Sequence, residues 1–308
     1  MVPLVWIAAL FSTVLMTSCG TSTASDGGKS HAADHEIMSA ELDPYWYQGK
    51  AEVSSYELSQ ARYRDEHPGD AVLVFVAEDF LTDKQVKNET YSSDASTKVL
   101  KANMMRKFTT GIYDYSIMTS VFSPANTPSW PHALKVTMSA QDWCGQNFVQ
   151  LNRVSSNYRL TQFSYFEREG DVVESIDGDA WLEDELWTRL RMDPYALPRG
   201  EVEILPSLAT LRLLHMENAP LTATAKLADY EGDAFQGADL LVYSIEYIGT
   251  SRVLSIVFEA AAPHKIAGWT EVSRGGLMTV AKKKAEVLTP YWSQNSLRDS
   301  TMRNFLKL

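Results

Sequence analysis

From residue 51 to residue 292 the chain alternates apolar and polar residues in run after run, and short turn clusters separate the runs. Successive side chains on a β-strand point to opposite faces, so such alternation marks strands with one buried face. The clearest run puts Tyr113, Tyr115, Ile117, Thr119 and Val121 on one face and Asp114, Ser116 and Ser120 on the other, interrupted by Met118. Residues 71–77 (AVLVFVA) are apolar on both faces and predict a central strand. His67-Pro68-Gly69-Asp70, just before them, places Pro and Gly at the centre of a type II turn and predicts a hairpin with residues 51–64. Further strands are expected over 99–108, 133–138, 148–153, 158–167, 172–176, 201–205, 209–215, 221–229, 240–248, 252–258 and 278–292. Roughly a dozen strands with short connections imply an antiparallel meander, and so many strands must curl, split or close. The expected fold is mainly β, a large curved antiparallel sheet or half-barrel.

One segment breaks the period. In residues 179–192 (DAWLEDELWTRLRM), Leu182, Leu186 and Leu190 recur four apart, on one face of a helix. Asp179 is placed to cap it, and Glu183, Asp184 and Glu185 complement the positive end of its dipole. Arg189 and Arg191 complement the negative end, and Pro194 stops the helix by forcing Asp193 out of the α region. One prominent α-helix over about 179–192, lying in the concave face of the sheet, is therefore expected. A subdivision of the domain is conceivable only near 194–200, where Pro and Gly cluster, and composition is alike on both sides.

The first twenty residues carry no charge and read as a leader. Residues 4–16 are too short for a transmembrane helix of roughly 20 apolar residues, but they suit a signal-peptide core. Thr17-Ser18-Cys19-Gly20 then looks like a bacterial lipoprotein cleavage site, with residues 1–18 removed and Cys19 lipidated. Residues 19–43 are Ser, Thr, Ala, Gly, Asp and His for most of their length, a composition that suits a flexible tether. The uncharged Gly20-Thr21-Ser22-Thr23 resembles lipoproteins kept on the periplasmic face, with the outer membrane favoured. Residues 44–308 then form a single β-rich domain.

Cysteine counting narrows the chemistry. The chain has two Cys, so a lipidated Cys19 leaves Cys144 alone and rules out an intramolecular disulfide. No Cys-x-x-Cys pair exists, and no structural zinc site or other cofactor motif is recognisable. The formal net charge of −11 argues against nucleic acid, whose binding rests on Lys and Arg at phosphates. Partners are instead expected to be the membrane, through the lipid, and an apolar small molecule or an envelope protein. Eight Trp, fourteen Tyr and eleven Phe suit either an apolar ligand pocket or a packed β core.

No catalytic signature stands out. The weak candidates are Cys144 with His132 as base and Asp142 as its orienter, since a nucleophilic thiol needs a nearby base. Cys is also among the most buried residue types, and a structural Cys144 in a tight turn accounts for the same residues. Trp143, His264 and Trp269 are candidate ligand-binding residues; the segment from Pro263 to Glu271 reads as a link between strands, either lining a pocket or lidding the barrel end. His31, His35, Asp34 and Glu36 lie in the tether and lack a scaffold to hold a metal. The carboxylates Glu167, Glu169, Asp171, Glu174, Asp177 and Asp179 could serve a hydrolase only if two faced each other across a cleft. Lys282-Lys283-Lys284 reads as an exposed strand edge.

The stretch from Tyr45 to Glu52 (YWYQGKAE), the run Ala71 to Val76 (AVLVFV), the segment Thr110 to Ser116 (TGIYDYS) and the Gln141-Asp142-Trp143-Cys144-Gly145 turn resemble a family of uncharacterised lipoproteins from Bacteroidota. Some members are labelled septum formation inhibitor Maf. That label implies a cytoplasmic α/β nucleotide pyrophosphatase opening with an S-x-S-P-R-R motif, which this exported, β-rich chain lacks. The resemblance implies no site residues. The expected function is that of a lipid-anchored, non-catalytic envelope protein binding an apolar ligand or a protein partner through a curved β-sheet. The alternatives are a periplasmic hydrolase using Cys144 or a carboxylate pair, and a structural adaptor in an envelope complex.

Overall fold

The computed structural model describes residues 41–91, 93–272 and 274–308. The expected leader, the lipidation site Cys19, and the tether with His31, Asp34, His35 and Glu36 lie outside the described residues. The chain is mainly β, as expected. Its strands are β1 (Ala51–Arg62), β2 (Asp65–Leu81), β3 (Val86–Lys87), β4 (Ser96–Thr110), β5 (Tyr113–Pro124), β6 (Lys135–Asp142), β7 (Gly145–Val154), β8 (Asn157–Ser164), β9 (Val172–Ile176) and β10 (Trp181–Leu182). Helix α1 (Glu183–Met192) follows, then β11 (Gly200–Leu205), helix α2 (Leu208–Leu214), β12 (Leu221–Asp229), β13 (Leu240–Tyr247), β14 (Val253–Glu259), β15 (Ile266–Val272), β16 (Met278–Thr289) and a short helix α3 (Thr301–Phe305).

Among the described residues all sixteen strands belong to one sheet, in the order β10-β11-β12-β13-β14-β15-β16-β1-β2-β4-β5-β6-β7-β8-β9, with β3 beside β2. Every pairing is antiparallel except β10 with β11. The first and last strands are neighbours, and the two edges, β9 and β10, are consecutive in the chain. Laid flat, fifteen strands would place those edges ~67 Å apart at ~4.8 Å per strand. The step from Ile176 to Trp181 covers five residues, ~18 Å at full extension. The sheet is therefore curled until its edges nearly meet. β11 joins the same sheet as β1–β9, so the Pro194–Gly200 region divides nothing.

Helix α1 lies inside the curl against β4 and β5, as the leucine spacing predicts. Leu186, Trp187 and Leu190 join one core with Tyr56, Leu73, Phe75, Trp269 and Ile256. Its start differs from expectation. Trp181 and Leu182 pair with Ile204 and Leu205 as a parallel bridge, so the helix opens at Glu183 and not at Asp179. The Glu185 carboxylate accepts from Leu182 N at 3.1 Å and does the capping.

Four other expectations are corrected. Residues 209–215, read as a strand, form α2: Ser207 Oγ accepts from Thr210 N at 3.2 Å, an N-cap that starts a helix, and His215 ends it at φ 52°. The expected turn at His67-Pro68-Gly69-Asp70 lies inside β2; the chain reverses at Tyr63, φ 59°. β4 pairs with β2 only from Gly69 onward, so Pro68 sits past the end of that ladder, where a missing N–H is tolerated. The expected link Pro263–Glu271 contains β15, a strand buried on both faces. Lys282–Lys284 lie on β16 between β1 and β15, not on an edge; Lys283 meets Glu286 and Lys284 meets Asp70.

The central strand expected over 71–77 is confirmed, and both its faces are covered. Leu73 and Phe75 face the interior, while Val74 and Val76 pack outside with Ala51, Val53 and Leu306 from the C-terminal segment. Among the described residues no helix is long and apolar enough to cross a membrane.

Candidate functional site

Five of the ten residues of α1 are charged, and nearly all of the helix is buried. A charge taken out of water is tolerated only if it is paired and hydrogen-bonded. The sheet supplies the partners. Arg191 donates to both oxygens of Glu52 on β1 at 2.5 and 2.7 Å, and from Nε to the Pro263 carbonyl at 2.7 Å. Its guanidinium lies over the Trp46 and Phe75 rings, 4.9 and 4.7 Å from their centroids. The Tyr45 hydroxyl completes Glu52 at 2.7 Å. Burial pushes the Glu52 carboxyl up, but the Arg191 guanidinium outweighs it and holds the pKa below the ordinary value.

At the other end of α1, Glu183 accepts a bidentate pair from Arg252 and a hydrogen bond from the Tyr247 hydroxyl. Glu271 accepts from Arg106 at 2.6 Å; burial raises its pKa, and Arg106 and Arg252 more than reverse the effect. Asp184 has no such cation in contact. Its Oδ2 accepts from Leu208 N at 2.9 Å, and burial pushes its pKa up to about 7. This lattice fixes α1 in one position, and the aromatics of the concave face are spent on packing. Trp269 is 1% exposed and lies against Tyr56 and Trp187, with centroids 5.0 and 5.2 Å apart. The middle of the concave face is thus filled.

Of the candidate catalytic residues, Asp142 and Cys144 meet and His132 stands apart. Asp142 caps the β6–β7 turn by accepting from Cys144 N at 2.7 Å, and its other oxygen accepts from Arg212 at 2.9 Å. His132 precedes β6 at the opposite end, ~24 Å away along seven strand steps, and its Nδ1 pairs with Glu185 at 2.9 Å. The Cys144 side chain is exposed, and its hydrogen bond to Asp142 raises the thiol pKa, the reverse of activation. Trp143 is 70% exposed at the tip of that turn, beside Tyr113. His264 is buried between Tyr195 and Phe258, and burial lowers its pKa. Glu169 pairs with His215 at 2.6 Å and Glu174 accepts from Asn218 at 2.8 Å, along a wide open groove. Among the described residues no cluster of three or more His, Cys, Asp or Glu is arranged to hold a metal.

Two cavities open at opposite ends of the curled sheet. One, of about 360 Å³, lies beneath α2 at the β1–β2 turn, between Leu213, Met216 and Leu277 and a polar floor of Gln60, Arg252 and Glu271. The other, of about 240 Å³, lies at the end where β1 begins. Leu42, Ala125, Pro131, Trp181, Met192 and Ala196 form its walls, and Arg189 lies along it. Four separate parts of the chain build this second cavity: the segment before β1, the β5–β6 loop, the strand–helix junction at Trp181 and the turn after α1. The packing starts earlier than residue 44, because Leu42 is already buried. No spacing in the sequence announces this assembly; the one signal was a lone Arg189 between Leu186 and Leu190 on an apolar helix face.

No family model matches the chain, and no curated protein matches it. Among solved structures the chain is similar to a beta-barrel-like protein from Brucella abortus, a domain of unknown function designated DUF1849. The match has 7% sequence identity and a TM-score of 0.47, and it covers 78% of this chain and 98% of that one.

Proposed function

We propose that this chain is a lipid-anchored, non-catalytic envelope protein that binds a small apolar ligand at one end of its curved sheet, in the cavity beside Trp181. The observation that carries this reading is the contrast within the interior. The concave face is closed by α1 and its ion pairs, whereas the space at the end of that helix is left open and has largely apolar walls. Ligand sites are concave, mostly apolar and built between elements, and this one draws on four of them. The non-catalytic part of the reading is supported by the interior carboxylates, which are engaged by guanidiniums or backbone N–H groups, and by a Cys144 thiol with a raised pKa.

The test uses the protein without lipid, titrated with a neutral naphthylamine dye whose fluorescence rises in apolar surroundings. Saturable uptake by the wild-type protein is expected. Ala196, exposed on the turn beside the cavity, gives a blocking variant that leaves the core intact. Ala196→Trp should abolish uptake without lowering the melting temperature. Absence of saturable uptake, or uptake unaffected by Ala196→Trp, would refute the site.

A further inference from the structure

We infer that the ligand of the Trp181 cavity is a small apolar monocarboxylate, held by Arg189. The inference rests on the ligand-binding reading above and adds the charge of the ligand to it. Four arginines are buried among the described residues: Arg189, Arg191, Arg212 and Arg252. Three of them touch a carboxylate, Arg191 on Glu52 at 2.5 Å, Arg212 on Asp142 at 2.9 Å and Arg252 on Glu183 at 2.5 Å. Arg189 touches none. Its terminal nitrogens donate to the carbonyls of Pro124 and Trp130, at 3.4 and 2.9 Å, and its Nε has no acceptor. The residue is 6% exposed.

A buried guanidinium without a counter-ion is costly, and burial pulls the Arg189 pKa below its ordinary value. The nearest acid on its own helix, Glu185, is already engaged by His132, by Ala133 N and by Leu182 N. A guanidinium presents a planar fork of five donors that fits a carboxylate, and two carbonyls use only part of it. Arg189 lines a cavity whose walls are largely apolar, which is the pattern expected for an acid with an apolar body.

Size and surrounding charge narrow the class. A 150 Å³ apolar cavity accepts benzene. About 240 Å³ therefore suits an aryl acid or a chain of about eight carbons. Two further acids line the cavity, Glu41 and Asp193; both are more exposed than Arg189, and Asp193 is engaged by Tyr195 N at 2.9 Å. Their charge disfavours a second anionic group on the ligand, so a monocarboxylate is preferred over a phosphate or a diacid.

The test compares octanoate with octanol, its neutral analogue, by calorimetric titration of the lipid-free protein and by displacement of the naphthylamine dye. Octanoate should bind the wild-type protein at least tenfold more tightly than octanol. Arg189→Met keeps the shape of the aliphatic stem and removes the charge; it should erase that preference while octanol affinity holds or rises. Equal wild-type affinity for acid and alcohol would overturn the carboxylate assignment and leave the apolar site standing. Dye uptake without displacement by either compound would overturn it too, whereas absence of dye uptake would refute the site itself. If Arg189→Met does not fold, the wild-type ratio of octanoate to octanol decides alone, with octyl phosphate expected to bind more weakly than octanoate.

Discussion

Replacing Arg191 by Met should destabilise the protein strongly at neutral pH and much less in acid. Arg191 and Glu52 are each 1% exposed, and two hydrogen bonds of 2.5 and 2.7 Å join them. Removing one partner of such a pair costs about 3–5 kcal/mol, because the other is left buried and alone. The remaining Tyr45 hydroxyl offers Glu52 one hydrogen bond in place of a cation. With Arg191 gone, burial becomes the dominant influence on Glu52 and drives its pKa above the ordinary value, the opposite of the native direction.

The signs of the two pH dependences then differ. In the native protein the depressed pKa contributes stability above the ordinary carboxyl range, and this is lost as pH falls through the folded value. In the variant the raised pKa contributes in acid, and this is lost as pH rises towards the folded value. Holding that carboxyl protonated at about pH 7.5, roughly three units above its ordinary range, costs about 4 kcal/mol, in line with the pair-breaking figure. At roughly 2–4 °C per kcal/mol for a domain of this size, the melting temperature should fall by on the order of 10 °C near neutrality. Urea unfolding followed by tryptophan fluorescence at about pH 7.5 and about pH 4.5 measures both gaps. The reasoning fails if the variant is within 1 kcal/mol of wild type near neutrality, or if the gap is the same at both pH values.

Asp184 offers the converse case: its folded pKa is raised from 3.8 to about 7 by burial, so it costs stability as pH climbs through that window. Asp184→Asn keeps an acceptor for Leu208 N and should raise stability at about pH 8 by roughly 2–4 kcal/mol, with a flatter pH profile between about 4 and 7; an unchanged profile in denaturant titrations would contradict the assignment. In the native host, Cys19→Ala should abolish incorporation of labelled palmitate and move the protein from the membrane fraction to the soluble one. Retained label would refute lipidation at Cys19.

The strands at 113–124 and 221–229 were legible because each has one buried face and one wet face, so alternation survives in the residues. β15 was not: Ile266, Ala267, Gly268 and Trp269 are all buried, and a strand covered on both sides has no polar residues to mark its period. Gly268 further disguised it, yet a Cβ there would lie 2.4 Å from the Phe235 ring, so the strand needs that glycine. α2 was misread because Leu-Ala-Thr-Leu-Arg-Leu-Leu is apolar and too short to separate the helical period from the strand period. The charges of α1 were legible as residues, and their ion pairs were not. The charges stand where the dipole reading puts them, acids in the first turn and bases in the last, but they are buried, and their partners on distant strands leave no mark in the helix's own sequence. Reading Arg189 as a site required knowing which arginines find acids, and the acids come from β1, β6 and α1 itself.

The neighbouring positions of β1 and β16 bear on how the chain can fold. Their ladder joins Ala51 to Thr289, and the two arms of the sheet are held together through it. Each arm is assembled largely from hairpins between successive strands, which form quickly, but this ladder must wait for contacts across nearly the whole chain. A polypeptide made from its N-terminus would thus build two separate half-sheets and close them only after its last strand appears. Reconnecting the ends and opening the chain between Ile176 and Trp181 would turn that late step into a local one, so a circular permutant cut there should refold faster than the native order of strands.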